Sequence, residues 1–144
     1  MKAILLSVCL CVMLVSGCAS RGPLGSFAGP LPDKGAVTAI AGDAVSILAE
    51  LYPPGHTTIR LLPATTENGF ALVLENGLRA KGFTLAAANS DALTLAYTLD
   101  MLEEKTAWYL QLRLSDGKTI ARSYNAQGQP EAGQSRTIRG NHER

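Results

Sequence analysis

A continuous apolar run opens this chain, a helical period follows it, and a two-residue period dominates the second half. Ala3 to Leu14 is apolar apart from Ser7 and follows the single cation Lys2. From Asp33 to Tyr52 the apolar residues Val37, Ile40, Ala41, Ala44, Ile47, Leu48 and Leu51 recur at intervals of three and four, which predicts an amphipathic helix. Asp33 is placed to cap its orphan amides, and Pro53-Pro54-Gly55 stops it. Gly42 costs about 1 kcal/mol inside a helix, so a start at Asp43 is the alternative. Thr57 to Leu62, ended by Pro63, reads as a strand. Thr65-Thr66 then offers a cap for a second helix over 67–81, with Phe70, Val73, Leu74 and Leu78 as its stripe and Gly82 as its end. Within it, Gly77 is expected to allow close packing on a sheet.

After Gly82 the period becomes two. Phe83 and Leu85 start a strand toward Ala88; Leu93, Leu95, Tyr97 and Leu99 mark the next, and Trp108, Leu110, Leu112 and Leu114 another. Asp116-Gly117 predicts a two-residue hairpin turn into a last strand over 119–124. That turn pairs Leu114 with Thr119, Leu112 with Ala121 and Leu110 with Ser123, and turns them toward the core. It also pairs Tyr109 with Tyr124, Gln111 with Arg122 and Arg113 with Ile120 on the outer face. Tyr109, Tyr124, Arg113 and Arg122 thereby form a candidate protein-contact face, because Tyr and Arg are enriched at interfaces. Ordinary cross-strand pairing on a wet face is the alternative, and a slip of one residue would exchange the two faces. The expected fold is α+β: two helices on one face of a small, mainly antiparallel five-stranded sheet in the order α-β-α-β-β-β-β, its last four strands a meander.

With 144 residues and 47% apolar composition, the chain is one ordinary domain. Thirteen Lys and Arg against twelve Asp and Glu exclude nucleic-acid binding through bulk positive charge, and 6% aromatic residues exclude a base-stacking platform. No direct nucleic-acid partner is expected. Residues 19–32 hold three Gly and three Pro and read as a tether on which Phe27 or Leu31 packs against the domain. Residues 125–144 are rich in Gln, Gly and Arg and read as a disordered tail.

Catalytic chemistry finds little footing. His56 follows a Pro-Pro-Gly turn and His142 lies in the tail, neither with a partner at metal-ligand spacing. Asp100, Glu103 and Glu104 fall near a hairpin turn and read as a solvated face. No phosphate loop, nucleophile elbow or dinucleotide fingerprint occurs. The expectation is a protein that is not an enzyme, with no catalytic residue, no metal and no cofactor.

The start of the chain carries a sharper signal. The apolar run is too short to span a bilayer, which takes roughly 20 residues, and it leads into Val15-Ser16-Gly17-Cys18. This stretch resembles a bacterial lipobox. The resemblance implies a lipoprotein signal peptide over 1–17, diacylglyceryl transfer to the Cys18 thiol, cleavage between Gly17 and Cys18, and acylation of the new amine by palmitate. An ordinary signal peptide cut at Ala19 or after Ser20, or an uncleaved anchor, are the alternatives. Cys9 and Cys11 would leave with the signal, so the mature chain would hold Cys18 alone and no disulfide. Ala19, rather than Asp, follows the cysteine, which by resemblance to Gram-negative lipoproteins implies the outer membrane. The organisation is then signal 1–17, lipidated tether 18–32, periplasmic α+β domain 33–124 and tail 125–144.

Several stretches together resemble the TrbH family of conjugal transfer lipoproteins. They are the lipobox, the run from Asp43 to Pro54, Thr57 to Leu61, the Phe70–Phe83 segment with Leu74, Leu78, Arg79 and Gly82, the Tyr97–Asp100 strand end, and Ala121 to Tyr124. The resemblance implies an accessory component of a conjugative type IV secretion apparatus, acting in plasmid transfer or pilus assembly. Its partners would be the membrane, through lipid on Cys18, and other secretion-channel subunits. A small-ligand-binding envelope lipoprotein or general periplasmic adaptor is the competing reading.

Overall fold

A computed structural model describes residues 25–64, 69–87, 91–103, 106–133 and 136–139. Cys18 and the signal segment lie outside the described residues, as do the Thr65-Thr66 cap, Ala88, Glu104 and His142. The elements are β1 (Phe27–Ala28), α1 (Lys34–Leu51), a 3-10 turn (Pro54–His56), β2 (Thr58–Leu61), α2 (Gly69–Lys81), β3 (Thr84–Leu85), β4 (Leu93–Glu103), β5 (Ala107–Leu114), β6 (Lys118–Asn125) and β7 (Arg136–Arg139).

Both helices form where the three-and-four spacing predicts them. Asp33 caps α1, its Oδ1 accepting from the Ala36 amide at 2.9 Å. Gly42 lies inside the helix rather than at its start, because the buried stripe runs unbroken from Ala36 through Ile40 and Ala44 to Leu48. Phe70, Leu74 and Leu78 are fully buried on α2. Gly82 ends that helix with φ at 100°, open to glycine at no steric penalty. Gly77 serves the other helix rather than the sheet: a Cβ there would sit 3.0 Å from Val45 Cγ2.

The fold is α+β with a mostly antiparallel sheet, but not the five-stranded sheet read from the sequence. Six strands lie in the order β3-β2-β4-β5-β6-β7, and a seventh, β1, pairs with β4 off that path. The last four predicted strands do not form a meander either. β3 lies at the far edge, parallel to β2, because α2 carries the chain back along the sheet before it re-enters in the same direction. β4 is parallel to β2 as well, and only β4, β5, β6 and β7 are antiparallel neighbours.

The two extra strands come from the segments read as tether and tail. Along the edge of β4, Leu62 donates to the Leu95 carbonyl at 2.9 Å, and Gly29 does the same to Leu99 at 3.0 Å. Between them the Ser26 hydroxyl accepts from the Tyr97 amide at 2.9 Å and donates to the Leu62 carbonyl. β1 thus takes over the edge where β2 leaves it. Leu31 packs on the core, whereas Phe27 is exposed.

At the other end, β7 pairs with residues 118–121 of β6, and Glu131 donates to the Ser123 carbonyl at 3.0 Å. Between them, Asn125 closes a turn by accepting at Oδ1 from the Gln127 and Gln129 amides at 3.0 and 2.9 Å. The described part of 125–139 is therefore ordered, contrary to the tail reading. Backbone pairing along an open edge requires no apolar side chain.

One apolar face fills the space between sheet and helices. Leu95, Tyr97 and Leu99 on β4 lie opposite Leu114, Leu112 and Leu110 on β5, and all six are buried together with Ile59, Ile120 and Tyr124. Phe70 meets Tyr97 edge-on at 5.1 Å between ring centroids.

Gly128 holds the turn after β6 against the start of α1. Its φ is 76°, and a Cβ there would sit 2.6 Å from the Ala36 carbonyl oxygen. Backbone strain and overpacking each cost about 1–3 kcal/mol. Gly128→Ala is expected to lower stability by roughly 2–5 kcal/mol in urea unfolding of the mature chain, and Gly133→Ala, where the added carbon meets no atom, by less.

Candidate functional site

The candidate contact face divides at the hairpin. The loop between β5 and β6 is Ser115-Asp116-Gly117, three residues rather than two. The Gly117 amide closes it on the Leu114 carbonyl at 3.0 Å, and Gly117 has φ 87°, the form of a tight turn followed by a left-handed glycine. The register becomes Tyr109 with Ser123, Leu110 with Arg122, Gln111 with Ala121, Leu112 with Ile120 and Trp108 with Tyr124. Every side chain of β6 therefore lies on the face opposite to the one expected. Tyr109 and Arg113 occupy the outer face as expected. Tyr124 and Arg122 point under α1, and the four do not form one surface.

Under α1 they meet Asp43. Arg122 Nη1 donates to both carboxylate oxygens at 2.8 Å, and the Tyr124 hydroxyl donates to Oδ2 at 2.8 Å. Asp43 and Arg122 are 20% and 25% exposed, so the pair is shielded without being dry. Tyr124 is fully buried. Burial first, then the hydrogen bond to Asp43 and its charge, hold the phenol proton on well above its ordinary value. Arg122 Nε and Trp108 Nε1 are buried without a hydrogen-bond partner among the described residues. This arrangement braces helix to sheet: one carboxylate on α1 holds a guanidinium and a phenol on β6.

A second brace joins the end of α1 to the hairpin. Tyr52 donates to Asp116 Oδ2 at 2.8 Å, Lys118 pairs with the same carboxylate, and the Lys118 ammonium lies 4.7 Å from the centroid of the Tyr52 ring. Burial raises the Tyr52 hydroxyl pKa, and the hydrogen bond to Asp116 adds to it.

Among the described residues no helix covers the outer face. Thr94, Thr98 and Asp100 on β4 and Tyr109, Gln111 and Arg113 on β5 are all half-buried there. Arg60 bonds Thr94 Oγ1 through Nε at 3.2 Å and Nη2 at 2.7 Å. Arg113 Nη2 donates to the Gly25 carbonyl at 2.6 Å.

The other candidates stand apart. His56 is exposed in the 3-10 turn. The Asp100 Oδ1 accepts from the Met101 amide at 2.8 Å. Among the described residues no three His, Cys, Asp or Glu side chains stand close enough to share a metal. An open pocket of about 300 Å³ lies between α2 and β3, lined by Leu61, Glu75, Arg79, Leu85, Ala86 and Ala87. Its charged members, Glu75 and Arg79, are not buried.

The class this defines is a small two-layer α+β domain, its described helices braced to one sheet face and no described helix on the other. The chain belongs to the TrbH family of conjugal transfer proteins, whose family model matches residues 21–141. Membership ties it to conjugal transfer. No curated protein and no solved structure gives a significant match.

Asp43→Ala would strand both Arg122 and Tyr124. Its expected cost is roughly 2–3 kcal/mol, below the range for a fully buried pair because both partners keep some water. Arg122→Met, which leaves Tyr124 its acceptor, should cost less; equal losses in urea unfolding would contradict the shared-carboxylate account. Tyr124 also sets a pH dependence. Its folded pKa lies above the unfolded value of 10.0, so its contribution is complete below that pH and is lost as pH rises beyond it. Stability should fall above about pH 10 more steeply in the wild type than in Tyr124→Phe.

Proposed function

We propose that this protein is a lipid-anchored accessory subunit of the conjugative secretion apparatus, acting in plasmid transfer or pilus assembly through protein contacts at the outer membrane. The family match over 21–141 carries the reading. The Val15-Ser16-Gly17-Cys18 sequence supports the anchor, and no described helix is long and apolar enough to cross a membrane. The role proposed is structural. The two polar clusters along α1 are spent on holding helix to sheet, which favours a scaffold over a catalyst.

Lipid on Cys18 confines the domain to a thin layer beneath the membrane and raises its effective concentration for channel subunits. The contact proposed is at the sheet edge. Among the described residues the strand order ends on β7, whose outer backbone groups are available for strand addition.

Deletion of the gene from its plasmid is expected to lower transfer frequency by roughly 10²-fold, the lower end of what tethering contributes. Wild-type protein should restore transfer. Cys18→Ala should not, and should fractionate with soluble periplasm. Unchanged transfer on deletion would overturn the conjugation role, and outer-membrane fractionation of Cys18→Ala would overturn the anchor.

A further inference from the structure

We propose that the outer face of the sheet, around Phe27, Tyr109 and Arg113, is a membrane-apposed surface that rests on the leaflet holding the protein's own lipid. The inference rests on the anchoring reading and adds to it an orientation.

Three observations converge on that face. The first is where the chain arrives. Gly25, the first described residue, is held through its carbonyl by Arg113, and Arg113 belongs to the outer face because it pairs with Ala96 and Thr119, out of phase with the buried leucines. The chain from the anchor therefore joins the domain on the side opposite the two described helices.

The second is how little chain remains. β1 and Ser26 are fixed to β4, so only residues 19–24 separate Cys18 from Gly25. Six residues and their flanking bonds reach at most roughly 25 Å. Turning the helix layer toward the membrane would spend much of that reach in rounding the sheet edge, and a helix layer adds about 10–12 Å by itself.

The third is what the face presents. Phe27 pairs with Thr98, which sets it on the outer face, while its neighbour Ala28 pairs with Leu99 and packs on the core. Phe27 is 52% exposed. Tyr109 lies opposite Asp100 on the neighbouring strand. Phe, Tyr and Arg suit the boundary between acyl chains and headgroups, where rings sit at headgroup level and guanidinium groups reach phosphate. Among the described side chains of this face, Arg60 and Arg113 stand with Asp100, and the contact proposed rests on the rings.

The test uses the full-length acylated protein in vesicles of phosphatidylethanolamine and phosphatidylglycerol with brominated acyl chains. Trp108, the only tryptophan, is replaced by Phe, which orphans nothing because its indole nitrogen has no partner among the described residues. Phe27→Trp is added in one protein. Leu72→Trp, on the outward side of α2 and 62% exposed, is added in another. The expected result is a blue shift and loss of most emission for the probe at position 27, with neither at position 72. A second probe leaves Trp108 in place: Phe27→Cys carrying a nitroxide is expected to be accessible to oxygen and shielded from a soluble nickel complex.

Equal quenching at both positions, or none at either, overturns the proposal. So does a position-27 probe that stays in water on vesicles and is shielded only in the assembled envelope complex, which would assign the face to a protein. Mass spectrometry of the same preparation separates the two readings. An unmodified Cys18 removes the anchor and this orientation with it, whereas an acylated Cys18 with an unquenched probe removes the orientation alone.

Discussion

The register of one hairpin decides what this domain can be. The Ser115-Asp116-Gly117 loop sets Ile120, Arg122 and Tyr124 on the face that already holds Leu110, Leu112 and Leu114. Two consequences follow at once. The apolar layer gains Ile120 and the Tyr124 ring, both essentially buried. It also acquires a guanidinium and a phenol that must find an acceptor, since a buried donor left unpaired costs about 1–3 kcal/mol. Asp43 supplies that acceptor from α1. The ion pair therefore fixes which part of α1 lies over β6, and the second cluster, Tyr52 with Asp116 and Lys118, fixes where the helix ends over the hairpin. Apolar packing alone tolerates sliding; two polar braces along one helix do not.

The helices and the three long strands were legible because burial imposes a period on them. Asp33 reads as a cap from its chemistry alone, and its oxygen caps. Leu110, Leu112 and Leu114 read as core from alternation. The assignment failed at β6, where Asp116-Gly117 matches the two-residue turn signal while Ser115 in fact belongs to the loop. A local correction existed. Ile120 is the most apolar residue of β6, and placing it outside to bury Thr119, Ala121 and Ser123 inverts the hydrophobic pattern. Arg122 argued the other way, since a cation on the core face looks wrong until Asp43 is known to stand above it. That partner is 79 residues distant, beyond any local period.

The two unforeseen strands share a cause. β1 lies in a segment rich in Gly and Pro and β7 in one rich in polar residues, compositions that weaken side-chain packing. Both strands pair through backbone along an open edge. β1 completes the edge of β4 where β2 departs, and β7 with the 125–131 turn completes the edge of β6. Composition reports the capacity to form a core; it is blind to unpaired amides on a neighbouring strand. Gly29 shows how close the edge pairing is, since a Cβ there would collide with the Asp100 carboxylate.

The docking of 25–29 changes the mechanics of the proposed anchor. A linker of fourteen residues becomes one of six, and effective concentration rises with the inverse three-halves power of linker length, roughly three- to fourfold here. The shorter linker also restricts orientation, because a chain fixed to one face cannot present all faces equally to the surface that holds it. A long tether would make this domain a roving adaptor whose partners choose its pose. Under the proposed anchoring a short one would make the membrane part of the binding geometry, and the helix layer and the β7 edge would face the periplasm. The sheet edge that closes on β1 is then what would turn the proposed lipid attachment into a defined platform.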